Sequence, residues 1–106
     1  MDLVLVSLNH KTAPVELRER FALPGDSLGT ALASLHARLP EVIILSTCNR
    51  LEIYAAAESA DDGMDALITF LAEQQLISAD VLHQHLYCLH GGEVAHYLMR
   101  VASGLE

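Results

Sequence analysis

Two short extended runs, Val42 to Ser46 and Leu51 to Ala55, are separated by only four residues, Thr47-Cys48-Asn49-Arg50. Apolar, β-branched runs of this length read as strands. Joined so closely, they can pair only as an antiparallel hairpin, because a parallel pair needs a crossover of about a dozen residues. The hairpin places Cys48 at its turn.

The rest of the chain is read around that hairpin. Leu3 to Leu8 is a third buried strand, closed by the polar Asn9-His10-Lys11-Thr12. Thr12 as cap and Pro14 in the first turn open a helix, with Glu16 four residues before Arg20. Pro24-Gly25-Asp26 breaks it. With Asp26 or Ser27 as cap, Leu28, Leu32, Leu35 and Leu39 line one face of a second helix, which Pro40 stops. The acidic stretch to Asp62-Gly63 reads as a loop, after which Met64, Leu67, Ile68 and Leu71 step along a third helix. Ser78 caps a short helix through Leu82, and His85 to Leu89 reads as a last strand. Beyond Gly91-Gly92, Val94, Leu98 and Val101 mark a final amphipathic helix. This order predicts one α+β domain with a mainly antiparallel or mixed sheet of about four strands and helices packed on one face.

Composition narrows the class. Of 106 residues 52% are apolar, yet no apolar run approaches the roughly 20 residues of a membrane span. The amino terminus starts Met1-Asp2 without a basic leader, so a cytoplasmic address is expected. A domain this small cannot bury so much apolar surface, which suggests a surplus face that meets another domain or subunit. Residues 1–50 balance five basic against five acidic side chains; residues 51–106 set Arg100 against nine acids and carry the whole net charge of −8. Glu58, Asp61, Asp62 and Asp65 form the densest acidic patch, a poor surface for a phosphate backbone. Nucleic acid would have to meet the first half.

Two groups of residues could carry chemistry. Two cysteines, Cys48 and Cys88, are too few for a disulfide framework and read as free thiols. A thiol is a nucleophile as thiolate, and the Arg50 guanidinium two residues from Cys48 could lower its pKa and grip a substrate carboxylate. The bland alternative is a small apolar Cys at a strand end with ordinary turn residues beside it. The second group is His83, His85, Cys88 and His90, with His96 beyond. Alternating His83 and His85 would share one face of a strand, and His with Cys suits zinc or haem iron, although the spacing matches no standard finger. Solvated histidines on an edge strand are the alternative.

Three blocks, Leu8-Asn9-His10-Lys11-Thr12-Ala13-Pro14-Val15 with Leu17-Arg18-Glu19-Arg20, then Leu45-Ser46-Thr47-Cys48-Asn49-Arg50-Leu51-Glu52-Ile53-Tyr54, then Leu98-Met99-Arg100-Val101-Ala102-Ser103-Gly104-Leu105, resemble glutamyl-tRNA reductase. The likeness covers residues 1–106 as the family's amino-terminal catalytic, glutamyl-binding domain. The NADPH-binding and dimerisation domains have no counterpart in these residues. The resemblance implies NADPH-dependent reduction of glutamyl-tRNA(Glu) to glutamate-1-semialdehyde, the first step of tetrapyrrole and haem biosynthesis. Cys48 would form a thioester with the glutamyl group. Arg50 would anchor the glutamyl carboxylate, with Thr47 and Asn49 shaping the pocket and His10 a further candidate, though a turn histidine at a helix start is an equal reading. The family usually places a catalytic His where this chain has Tyr97, which makes Tyr97 the catalytic candidate there, a weaker proton-transfer group as a phenol of pKa about 10 but able to donate a hydrogen bond; His96 is adjacent but roughly 100° around the helix. The family's substrate-contacting run continues past Ser103-Gly104-Leu105, so part of the pocket is expected outside these residues.

Implied partners are glutamyl-tRNA(Glu), a channelling glutamate-1-semialdehyde aminomutase, and a second copy in a full-length homodimer; no membrane is implied. The fragment itself would form and hydrolyse the acyl-thioester. The competing reading is a non-catalytic interaction or haem-sensing module of the same fold, since a pathway's end product often feeds back on its first enzyme.

Overall fold

A computed structural model describes residues 1–23, 25–47 and 49–105. The elements in order are β1 (Asp2–Asn9), α1 (Val15–Phe21), α2 (Gly25–His36), β2 (Glu41–Ser46), β3 (Arg50–Ala57), α3 (Ala60–Gln75), α4 (Ala79–His83), β4 (Tyr87–His90) and α5 (Gly92–Ala102). The strands form one sheet in the order β2-β3-β1-β4, every neighbouring pair antiparallel. This is the expected α+β class, and β2 with β3 is the expected hairpin, its turn closed by the Thr47 N–H donating to the Arg50 carbonyl at 2.8 Å. Cys48 lies outside the described residues.

Side chains alternate across a strand, and the two faces of this sheet differ in chemistry. Val4, Val6 and Leu8 of β1 and Leu51, Ile53 and Ala55 of β3 point into the main core. Helices α1 to α4 cover that face through residues such as Phe21, Leu35, Leu67 and Leu82. The other face carries Leu5 and Tyr54, which pack with Val94 and Tyr97 of α5. The expectation of helices on one face therefore holds for four of the five. The cause of the exception is Gly91: its φ of 72° lets the chain reverse after β4, and its N–H donates to the Leu3 carbonyl at 2.9 Å, pinning the start of α5 to the sheet.

Five elements differ locally from the sequence reading. Helix α2 starts at Gly25, ahead of the expected cap at Asp26 or Ser27, and ends at His36, so Leu39 lies past it. Helix α1 begins at Val15 behind an extended Pro14, and Thr12 does not cap it. The Thr12 hydroxyl instead accepts from the Asn9 N–H at 3.1 Å, tightening the turn after β1. Helix α3 begins at Ala60, taking in residues read as loop: the Ser59 hydroxyl accepts from the Asp62 N–H, and Asp61 and Asp62 sit in the first turn, where acids complement the helix dipole. The last strand is Tyr87–His90, because His85 and Leu86 are spent on the turn that follows α4. On α5 the buried positions are Val94 and Tyr97, whereas Leu98 is half-exposed. Tyr97 takes the inward position that Leu98 was expected to fill because its ring fills apolar space while its hydroxyl finds a polar partner.

Helix α3 is seated tightly. A Cβ at Gly63 would stand 2.8 Å from the Ala57 Cβ and 3.0 Å from a Val4 methyl, so only glycine allows this approach to the sheet. On the far face the sheet is less completely covered: Leu3 and Ile43 remain exposed beside Tyr54 and Ala56, the surplus apolar surface anticipated from composition. No helix among the described residues is long and apolar enough to cross a membrane.

Candidate functional site

The face beneath α5 is apolar at one end and polar at the other. Along β1 the same-face positions run Leu5, Ser7, Asn9, and along β3 their partners are Tyr54, Glu52 and Arg50. Ser7, Asn9 and Glu52 are the buried polar residues of the described chain, Glu52 at 0% exposure. An isolated buried carboxylate is prohibitively costly, so its partners decide whether it can exist there.

Glu52 has four. Its Oε1 accepts from the Tyr54 hydroxyl at 2.7 Å; its Oε2 accepts from the Ser7 hydroxyl at 2.8 Å, the Tyr97 hydroxyl at 3.0 Å and the Arg50 Nη1 at 3.1 Å. Three of these four donors converge on Oε2 and one on Oε1, so both carboxylate oxygens have partners. The network extends outward: Asn9 Nδ2 donates to the Ser7 hydroxyl at 2.8 Å, and Asn9 Oδ1 accepts from the Lys11 N–H at 2.9 Å. The polar turn after β1 is thereby wired to the carboxylate. Desolvation pushes the phenols of Tyr54 and Tyr97 above their ordinary values, with Glu52 adding to the rise, so both stay protonated as donors. Tyr97 also lies against Tyr87, ring centroids 5.4 Å apart, and beneath the Arg100 guanidinium at 5.8 Å.

Arg50 stands between this cluster and an open cleft. The cleft, of about 410 Å³, is lined by Leu45, Thr47, Arg50, Leu98, Val101 and Ala102. It joins the hairpin end to the last turns of α5, and its volume falls in the range of small-molecule sites, about 300–1,000 Å³. The Arg50 side chain is 10% exposed, so it presents one edge there while its ion pair with Glu52 is buried. Asn49 is exposed in the turn, its N–H donating to the Thr47 hydroxyl at 3.3 Å.

The remaining candidates separate. His10 is exposed in the turn after β1, outside the carboxylate cluster. His96 is exposed and lines a different cleft with Tyr87, Leu89 and Arg100, consistent with its place around the helix from Tyr97. Tyr97 is buried against Glu52.

The histidine group is broken up by the fold. His83 ends α4, His85 is in a turn with Nδ1 3.4 Å from the Thr12 carbonyl, and only Cys88 and His90 are on β4. The supposed strand face shared by His83 and His85 does not exist, because the chain there completes a helical turn. Among the described residues no three His, Cys, Asp or Glu side chains are placed to hold a metal ion. Cys88 packs against the main core, where burial pushes its thiol above the ordinary value and away from thiolate chemistry.

Sequence reasoning passed over Glu52, Ser7, Asn9 and Tyr54. The available signal was polar residues at alternating positions of otherwise apolar strands.

The fold and the cluster define an antiparallel α+β domain in which a buried carboxylate holds an arginine at the mouth of a hairpin-end cleft. A family model described as "Glutamyl-tRNAGlu reductase, N-terminal domain" matches residues 6–106. Over its whole length the chain is 45% identical to a glutamyl-tRNA reductase of Synechococcus sp. (strain RCC307), covering 24% of that protein, and 44% identical to one of Acaryochloris marina (strain MBIC 11017), covering 25%. The solved structure of glutamyl-tRNA reductase from Methanopyrus kandleri superposes with a TM-score of 0.65 at 30% identity, over 97% of this chain and 22% of that one. The chain belongs to the glutamyl-tRNA reductase family, as its N-terminal domain. It spans about a quarter of the length of these relatives.

Proposed function

We propose that this domain performs the acyl-transfer half of the NADPH-dependent reduction of glutamyl-tRNA(Glu) to glutamate-1-semialdehyde. The observation that supports this reading is the cleft itself, which brings Thr47 and Arg50 of the hairpin block together with Leu98, Val101 and Ala102 of the last block. In the proposed step the Cys48 thiolate attacks the carbonyl carbon of the ester linking glutamate to the 3′ end of the tRNA. A C–S bond forms, the C–O bond to the ribose breaks, and the departing oxygen takes a proton. Arg50 pairs with the glutamyl carboxylate, and Thr47 and Asn49 frame the pocket. Tyr97, a buried phenol held above its ordinary pKa, donates to Glu52 and does not serve as a base. His10 is exposed, where it could meet the substrate from outside the cleft.

Every strand pair here is antiparallel, so the described residues offer no parallel β-α-β crevice of the kind that cradles a dinucleotide. NADPH fits another part of the whole protein and supplies the hydride. Glutamate-1-semialdehyde aminomutase as recipient of the aldehyde, a homodimer of the full-length protein and a cytoplasmic setting complete the proposal.

The test is incubation with tRNA charged with labelled glutamate, followed by acid gel and mass spectrometry. Label on Cys48, released by hydroxylamine and absent from Cys48→Ser, is the expected result. A folded protein that takes no label refutes the reading. A second reading, a non-catalytic interaction or haem-sensing module, draws on the exposed Leu3 and Ile43. Under it Cys48 alkylates no faster than an ordinary thiol of pKa about 8.5, whereas an activated Cys48 reacts well below that pH.

A further inference from the structure

We infer that the cleft on the β4 side of α5 is a stacking site for a base of a single-stranded RNA 3′ end, with Tyr87 as its platform and Lys11 beside it for the backbone phosphate. The inference rests on the acyl-transfer reading for the identity of that RNA, the end of glutamyl-tRNA, but on geometry for the site.

The two flanks of α5 differ in chemistry. Leu98, Val101 and Ala102 turn toward β2 and line the hairpin-end cleft, whereas Glu93, His96 and Arg100 turn toward β4 and line a second cleft of about 410 Å³. Its floor is Tyr87 and Leu89, two same-face residues of an edge strand. Tyr87 is braced on one side by Tyr97, ring centroids 5.4 Å apart, and is still 38% exposed. A ring held this way offers a base a flat apolar surface, and stacking on such a ring is the usual way single strands are bound. The Arg100 guanidinium, 5.8 Å from the Tyr97 ring, places a planar cation beside the platform. Glu93 is the one acid of the lining and supplies an acceptor for the exocyclic amine that cytosine and adenine carry.

The fold also separates charge along the strands. Glu58, Asp61 and Asp62 follow β3 at the end where Asp2 lies opposite Ala57, and Asp2 accepts there from the Ala60 N–H at 3.0 Å. Lys11, Arg50 and Arg100 gather at the other end, where Asn9 lies opposite Arg50, roughly 25 Å away along the strands. Residues 51–106 are acidic in sum, yet their only Lys or Arg is placed here. Lys11 lines a smaller cleft of about 190 Å³ with Asn9, Thr12 and Tyr97, and this cleft shares Tyr87 with the larger one. A base on Tyr87 therefore has a cation next to it for its phosphate. From Lys11 the path to Arg50 crosses only Asn9, its partner in the sheet.

The test is an NMR titration of the 106-residue protein with the ribotrinucleotide CpCpA, with inorganic phosphate as a separate arm. Ring-proton shifts at Tyr87 that saturate with CpCpA are expected, with none under phosphate and none at the buried Tyr54. Tyr87→Phe keeps the ring and should bind within about twofold of the wild type. Tyr87→Ala should bind at least about fivefold more weakly, the low end of what one stacked base contributes. Lys11→Ala should make the salt dependence of binding shallower. In Cys48 acylation, Tyr87→Ala should raise the half-saturating concentration of glutamyl-tRNA by a similar factor and leave the maximal rate within about twofold. A Tyr87 ring unmoved by CpCpA, shifts reproduced by phosphate alone, equal binding by Tyr87→Ala, or a salt dependence unmoved by Lys11→Ala overturns the inference. The first two need no variant, so a misfolded Tyr87→Ala does not shield it. Tyr87 shifts in a protein that takes no acyl label support the site and refute the acyl-transfer reading; acyl label with an unmoved Tyr87 does the reverse.

Discussion

Replacing Gly63 with alanine tests how α3 is seated on the sheet that carries the site. The new Cβ would stand 2.8 Å from the Ala57 Cβ and 3.0 Å from a Val4 methyl, where carbon atoms prefer about 3.5–4.0 Å. Both neighbours are short, buried and fixed to paired strands, so neither can swing aside. The helix must lift or tilt. Such overpacking costs roughly 1–3 kcal/mol, and the helix propensity of alanine over glycine offsets about 1 kcal/mol of it. The single variant should therefore lose about 1 kcal/mol, too little to identify the cause. The decisive measurement is the coupling with Ala57→Gly, which removes the nearer obstructing carbon. Glycine weakens a strand by itself, so the cycle predicts two destabilised single variants and a double variant about 1 kcal/mol better than their sum. Urea unfolding with a slope of about 1–3 kcal/mol/M would show that coupling as a midpoint displaced by roughly 0.3–1 M. Strict additivity within about 0.3 kcal/mol would refute the steric account.

Other expectations follow from the same structure. Leu76 closes α3 in the left-handed conformation, φ 53°, with its side chain 94% exposed; Leu76→Gly should raise stability by about 1 kcal/mol in thermal unfolding, and a lower midpoint would contradict the strain. Burial raises the Cys88 thiol and the Tyr97 and Tyr54 hydroxyls above their ordinary values, Tyr54 the furthest. In that window the unfolded chain has released protons the folded chain retains, so stability should be level to about pH 8 and fall as pH rises above it. Tyr54→Phe should flatten the decline above pH 10, and a folding free energy constant from about pH 8 to 11 would count against all three shifts.

Much of the scaffold was legible from local pattern. The closeness of Val42–Ser46 to Leu51–Ala55 demanded a hairpin, Leu32 and Leu35 marked the core-facing side of α2 while Leu39 is buried past its end, and Ser78 capped the short helix as its position suggested. The acidic residues before Gly63 misled because a loop and a first helical turn favour the same side chains. The candidate site was legible only in part. The Thr47 to Arg50 turn and Tyr97 could be singled out in the sequence, but the pairing of Arg50 with a buried Glu52 could not.

The amino-acid order by itself determined the elements, the antiparallel hairpin and the family to which the chain belongs, because these depend on periodicity, short connections and motifs of contiguous residues. Only the tertiary structure decided that α5 lies on the opposite face of the sheet from the other helices, and that Ser7, Glu52 and Tyr97, each 45 residues from the next, meet at one carboxylate. The physical reason is range. Strand register and the side on which a helix returns are set by pairings between distant segments, and a buried carboxylate can be recognised as satisfied only when every donor that reaches it has been placed.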